Sequence, residues 1–181
     1  MNKPHKFILL DRDGTIIFDR NYPHSPDQVE LLPNAIAGLH EIVTLGYGLI
    51  VISNQSGIGR GIITVEQAES VNNRMRELLA AENITLAAIY HCPHHPDDHC
   101  NCRKPATGMI DLAVAEFGLK PSECYVIGDK CADIQLAENV HATGILVRTG
   151  YGAETEKAKT CQPAYIADDL LDAAQFLKAR M

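Results

Sequence analysis

The fold class is legible in Phe7-Ile8-Leu9-Leu10-Asp11-Arg12-Asp13-Gly14-Thr15. Its apolar residues run without polar alternation, as in a strand covered on both faces of a parallel sheet. The run stops at two carboxylates two residues apart, and Gly14 lets the chain turn there. Four segments repeat this apolar pattern: Tyr47–Ser53, Leu86–Tyr90, Tyr125–Gly128 and Gly144–Arg148. Helical spacing fills the intervals between them. Pro33–Leu45 carries Ile36, Leu39 and Val43 on one stripe and stops at Gly46. Thr64 and Gln67 have the spacing of a capping box, ahead of Ala68, Val71, Met75, Leu78 and Leu79. Further helices are expected over Met109–Phe117, after Cys131, and over Leu170–Ala179 with Asp168 as N-cap. The alternation predicts an α/β chain, a Rossmann-like three-layer sandwich around a mostly parallel central sheet.

At 181 residues the chain is expected to form one domain over 1–181. Surface scaling gives about 8,600 Å² exposed when folded against about 29,000 Å² unfolded, enough burial for a core without metal or disulfides. With 16 Lys+Arg against 23 Asp+Glu the net charge is −7, so the chain lacks the basic face that a general nucleic-acid binder needs. No run reaches the roughly 18 apolar residues of a membrane span. The apolar stretch before Asp11 is too short for a signal peptide. These features lead us to expect a cytoplasmic protein with no nucleic-acid or membrane partner. In that reducing setting the six cysteines read as thiols or metal ligands rather than disulfides. The polar stretch Gly152–Pro163 reads as a surface connection.

In an open parallel sheet ligands bind outside the carboxyl ends of the strands, so the residues that end each strand matter most. The first strand ends in Asp11 and Asp13, the second in Ser53-Asn54-Gln55-Ser56, and the fourth in Gly128-Asp129-Lys130, with Asp133 one turn on. Arg103-Lys104 precede Pro105 and the third helix. Cations at a helix N-terminus oppose its dipole unless an anion binds there. A lone Asp-x-Asp-Gly is as readily a solvated turn. The parallel topology, however, brings Asp11, Asp13, Ser53, Lys104 and Asp129 to one edge. Such acids can hold Mg²⁺, lysine and serine can hold phosphate oxygens, and one acid remains for covalent attack.

The segment of about 91–104 contains Cys92-Pro93-His94 and Cys100-Asn101-Cys102. Thiolates and imidazole suit a closed tetrahedral Zn²⁺ site, with His91, His95 and His99 as competing ligands. The other reading of this segment is a His-rich surface loop with free thiols. Gly57-Ile58-Gly59-Arg60-Gly61 lacks the dinucleotide-binding order and reads as a mobile loop. Cys131, with no base nearby in sequence, reads as a small core residue.

The ordered set Asp11-x-Asp13-Gly14-Thr15, Ser53, Lys104 and Gly128-Asp129-x-x-x-Asp133 resembles the four motifs of the haloacid dehalogenase superfamily of phosphotransferases, over essentially the whole chain. The resemblance implies that Asp11 is the nucleophile and that Asp13 is the acid and then the base. It further implies that Asp11, the Asp13 backbone carbonyl and Asp129 hold Mg²⁺, that Ser53 and Lys104 neutralise the phosphoryl group, and that Asp133 supports the site. The CPH…CxCRKP and SNQSGIGRG segments are similar to the heptose-bisphosphate phosphatase branch, which lacks the large cap domain of many relatives and serves nucleotide-activated heptose and lipopolysaccharide core synthesis. That branch implies Zn²⁺ on Cys92, His94, Cys100 and Cys102. It implies a small phosphorylated sugar held by Asp19, Arg20, Asn21, Tyr22, Asn54, Gln55, Ser56, Arg103 and Lys130. The chain is expected to be a monomer. Only five residues separate His94 from Cys100, where many relatives have a longer insert. The alternatives are a histidinol-phosphate phosphatase, from a related branch with the same zinc loop, and a zinc-loop binding module on a catalytically idle scaffold.

Overall fold

The structure, a computed structural model, describes residues 6–181. Six strands, β1 (Phe7–Leu10), β2 (Gly48–Asn54), β3 (Ala88–Cys92), β4 (Tyr125–Gly128), β5 (Thr143–Val147) and β6 (Tyr165–Ala167), form one sheet. Its order is β3-β2-β1-β4-β5-β6, and every pairing is parallel. The helices are α1 (Ala35–Thr44), α2 (Ser56–Gly59), α3 (Val65–Ala81), α4 (Gly108–Phe117), α5 (Cys131–Asn139), α6 (Gly152–Ala158) and α7 (Leu170–Lys178).

The two-residue period of a strand sorts the core into two layers. Ile8 and Leu10 of β1 join Leu39 of α1, Val71 and Met75 of α3 and Leu177 of α7 on one face of the sheet. Phe7 and Leu9 join Met109, Ile110 and Ala113 of α4 and Leu136 of α5 on the other. β1 is therefore buried on both sides, as its unbroken apolar run requires.

Several boundaries and phases differ from expectation. β3 begins two residues later than the apolar run and extends to Cys92, so a predicted metal ligand is the last residue of a strand. In α1 the buried stripe is Ala35, Gly38, Leu39 and Ile42, while Val43 faces outward. Small residues on the packing face let α1 approach α7: a Cβ on Gly38 would lie 2.4 Å from the Leu170 carbonyl carbon. The expected surface connection after Gly152 contains α6, whose Glu156 pairs with Arg148 at 2.7 Å. The short strand β6 carries no apolar run to announce it. Asp169, not Asp168, caps α7 and accepts from the amides of Leu171 and Asp172. The Thr64–Gln67 capping box forms as expected, with bonds of 3.2 and 2.8 Å. Among the described residues, no helix is long and apolar enough to cross a membrane.

Candidate active site

The sheet order reverses direction between β1 and β4, and the carboxyl ends of those strands form the switch-point crevice. The Asp11 amide bonds the Ile127 carbonyl at 2.9 Å, which ties the end of β1 to β4. Lys104 enters the crevice from the loop after β3. Its Nζ lies 2.9 Å from Asp11 Oδ1 and 2.6 Å from Asp133 Oδ1, and it donates to the Ile52 carbonyl at 2.7 Å. All three charged groups are buried. Burial alone would lower the Lys104 pKa, but the Asp11 and Asp133 carboxylates hold it above the usual lysine value. Burial opposes ionisation of Asp11 too, yet Lys104 and then Lys130 keep its carboxyl below the ordinary range. Asp11 therefore stands ready as an anion at neutral pH.

Asp129 differs. Its Oδ2 accepts from the Tyr151 amide at 2.8 Å, whereas its Oδ1 is buried with no hydrogen-bond partner. The nearest ammonium, Lys130 Nζ, is 4.0 Å away. Burial and then the Asp11 charge push the Asp129 carboxyl up to about 8. Ligand oxygens of Asp11, Asp129 and Asp133 lie within 4.8 Å of one another. Converging carboxylates with an orphaned oxygen are costly without a cation, and an all-oxygen donor set suits Mg²⁺. Asp133 is already engaged: it meets Lys104 as an ion pair, and its Oδ2 accepts from the Lys130 amide at 3.0 Å. That leaves Asp11 and Asp129 as the side chains best placed for a cation.

The crevice opens into a cavity of about 310 Å³ lined by Asp13, Asp19, Asn21, Tyr22, Asn54, Gln55, Ser56, Arg103, Lys104, Lys130 and Tyr151 among others. Ser53 and Asp11 line a smaller pocket that shares Asp13, Asn54, Lys104 and Lys130 with this cavity. Lys130 Nζ is 3.3 Å from Asp19 Oδ2 and 5.0 Å from the centroid of the Tyr151 ring. Asn21 and Tyr22 both hold left-handed backbone, with φ of 52° and 68°, a conformation that costs a bulky residue about 1–3 kcal/mol. Arg103 Nη1 is buried without a partner. Arg20 does not join this group. It pairs with Glu30 and lies over the Phe18 ring, away from the cavity.

Two of the amide side chains are spent on the protein. Asn54 clasps the Lys104 backbone, accepting from its amide at 3.0 Å and donating to its carbonyl at 3.2 Å. Gln55 Nε2 donates to Asp13 Oδ2 at 2.9 Å and to Ser53 Oγ at 2.8 Å. The loop after β5 and the helix α6 that follows it, which carry none of the expected site residues, also reach the site. Thr149 donates to the Gly14 carbonyl at 2.7 Å, and Thr155 donates to the Asp129 carbonyl at 2.9 Å. A Cβ on either Gly14 or Gly150 would come within 2.2 Å of Asp129 Oδ2, so both glycines, at φ of +82° and +55°, let backbone close around that carboxylate. The strand-end rule applied to the fifth strand would have found this loop.

Cys92, His94, Cys100 and Cys102 converge as well. The sulfur–sulfur distances are 3.0, 3.5 and 3.6 Å, and His94 Nδ1 is 3.5 Å from Cys92 and 3.2 Å from Cys102. Tetrahedral Zn–S bonds of about 2.3 Å place thiolates about 3.8 Å apart, close to this spacing. The donor set fits zinc. Burial and contact with Cys102 push the Cys92 thiol up to about 12. His95 instead accepts from the Asp97 amide, and neither His91 nor His99 joins the cluster. Cys131 is half-buried at the start of α5 rather than a core residue.

A HAD-hydrolase-like family model matches residues 101–173. The D-glycero-beta-D-manno-heptose-1,7-bisphosphate 7-phosphatase of Yersinia pestis is 37% identical over 182 residues, covering 96% of this chain and 95% of its own length. This chain belongs to the D-glycero-beta-D-manno-heptose-1,7-bisphosphate 7-phosphatase family. The family member of Escherichia coli K12 is 37% identical over 187 residues, covering 98% and 96% of the two chains. Among solved structures, the D,D-heptose 1,7-bisphosphate phosphatase of B. bronchiseptica, complexed with magnesium and phosphate, matches with a TM-score of 0.91 at 29% identity over 97% of this chain and 99% of that one. The likeness to that phosphatase thus spans nearly the whole chain and not the sheet alone.

Proposed function

We propose that this member of the family removes the C7 phosphate of D-glycero-D-manno-heptose 1,7-bisphosphate through an aspartyl-phosphate intermediate. The observation that carries the reading is the buried Asp11 carboxylate, 2.9 Å from Lys104 Nζ and converging with Asp129, whose Oδ1 has no partner, with Asp13 beside it in the same pocket. In the first step the Asp11 carboxylate attacks phosphorus, the bond from phosphorus to the sugar oxygen breaks, and Asp13 gives that oxygen a proton. In the second, Asp13 takes a proton from water as water attacks the phosphorus, and Asp11 is released with inorganic phosphate. Lys104 and Ser53 stabilise the charge that builds on the phosphoryl oxygens. Asp11, the Asp13 backbone carbonyl and Asp129 would hold Mg²⁺, which when bound adds positive charge at the phosphoryl group.

Arg103, which lines the wider cavity but not the pocket at Asp11, is suited to the other phosphate of a bisphosphate, Lys130 lines both regions, and Asp19, Asn21 and Tyr22 stand around the sugar. Asn54 and Gln55 act through Lys104, Asp13 and Ser53. Cys92, His94, Cys100 and Cys102 would hold a structural Zn²⁺, since four protein ligands leave no open position. The test is Mg²⁺-dependent phosphate release from both heptose 1,7-bisphosphate anomers and from histidinol phosphate. Higher kcat/KM on a heptose bisphosphate is expected. A preference for histidinol phosphate would move the chain to the other branch, and no release from any phosphate ester would leave only a binding function.

A further inference from the structure

One buried charge has no task in this scheme. Arg12 stands between the two acids of the first motif, and its side chain is wholly excluded from solvent. Its Nε donates to Asp13 Oδ2 at 3.0 Å, its Nη2 donates to Oδ1 at 3.2 Å, and the same Nη2 lies 2.9 Å from Oδ2. Its far end, Nη1, donates to Asn72 Oδ1 at 2.8 Å on the buried side of α3. Gln55 reaches Asp13 Oδ2 at 2.9 Å from the end of β2. Among the described residues Asp13 is the only carboxylate paired with Arg12.

A buried guanidinium is a poor way to fill space, because its desolvation must be offset by good partners. A fork onto a carboxylate does what a point charge cannot: it sets the plane of the group as well as its distance. Here the contacts are unequal. Oδ2 takes Arg12 Nε, Arg12 Nη2 and Gln55, whereas Oδ1 takes one longer bond and keeps open valence.

We propose that Arg12, braced by Asn72, is a positioning residue that fixes the Asp13 carboxylate so that Oδ1 is the oxygen that exchanges protons with the leaving group and then with water. The inference rests on the acid–base reading of Asp13. Proton transfer needs heavy atoms within about 2.6–3.2 Å, and misplacement by about 1 Å can cost on the order of 100-fold. The loss on releasing the fork should therefore fall on the steps that move a proton and spare the others. An alkoxide leaving group needs the proton; an aryl oxide does not.

Arg12→Lys, Arg12→Met and Asn72→Leu can be compared with Asp13→Asn on a simple alkyl phosphate and on 4-nitrophenyl phosphate, with Mg²⁺ saturating. The ratio of alkyl to aryl kcat/KM should fall about 100-fold in Arg12→Met, less in Arg12→Lys, and about ten-fold or less in Asn72→Leu, scaled from the same misplacement cost. On the aryl substrate each variant should show a burst of nitrophenol and a phosphoenzyme visible by mass spectrometry, because the intermediate waits for a positioned base. Should Arg12→Met not fold, Asn72→Leu, which removes only the brace, carries the test, with its melting temperature and Mg²⁺ affinity as controls. Equal losses on both substrates with no burst, or no loss in any variant, would overturn the role of Arg12. If Asp13→Asn itself shows neither signature, the failure lies instead with the acid–base reading.

Discussion

Two clusters of ligand-type side chains lie at the same edge of the sheet, and they are built on opposite plans. The knot of Cys92, His94, Cys100 and Cys102 is closed: its three sulfurs lie 3.0–3.6 Å apart, and the His94 imidazole is within 3.5 Å of two of them. The acid cluster is open: Asp129 Oδ1 has no partner, and a cavity reaches Asp11 from outside. A closed set can hold an ion for structure alone. An open set leaves positions for a substrate. The two are joined through Lys104, which follows the last knot cysteine by two residues and ends between Asp11 and Asp133.

The largest effect that can break this picture is on the open side. Asp11→Asn should abolish turnover, by on the order of 10⁴-fold or more, because an amide is a poor nucleophile. Steady-state assays on an aryl phosphate check it, and appreciable residual activity would place the nucleophile elsewhere. Lys104→Ala comes next. Loss of one donor to the transition state costs about 2.7–4 kcal/mol, and leaving Asp11 and Asp133 buried and unpaired should remove about 3–5 kcal/mol of stability as well. Urea titration separates the second loss from the first. Arg103→Ala should weaken substrate binding by about 1.5–3 kcal/mol, raising KM more than it lowers kcat. Equal kcat losses for the Arg103 and Lys104 variants would erase the distinction between a charge on the phosphoryl group and one on the rest of the substrate.

The closed side predicts a smaller effect on activity and a local one on structure. Cys100→Ser should bind much less zinc by elemental analysis while the far-UV circular dichroism of the sheet stays near wild type. Structural zinc contributes on the order of 10 kcal/mol to ordering its own segment, so hydrogen exchange should rise across 91–104 and little elsewhere. Full zinc occupancy in that variant would mean that another residue, such as His95 or His99, supplies the fourth ligand. A sheet that melts without zinc would mean that the knot supports the core.

Both clusters could be anticipated from spacing because their residues end strands or crowd a short loop, and strand ends in a parallel sheet share one edge. Less was legible where a side chain has two possible partners. Asn54 and Gln55 read as substrate contacts and do line the cavity, but the spacing gave no sign that their amides also hold Lys104, Asp13 and Ser53. Arg20 was expected at the substrate and pairs with Glu30 instead. The phase of the α1 stripe differs from the apolar spacing because the packing face uses Ala35 and Gly38, small residues that hydrophobic spacing does not weigh.

From sequence alone the chain determined its layers, the parallel sheet, the acids at its switch point and the four knot residues. Those features follow from apolar runs, helical period and donor chemistry, which are local. Only the tertiary structure decided that Asp11 is paired while Asp129 Oδ1 is not, that the loop after β5 closes over Asp129, and that Arg12 forks onto Asp13 with Asn72 behind it. Asn72 is 60 residues from Arg12. Pairing at that separation depends on which faces of β1 and α3 meet in the packed core, and no local pattern encodes it.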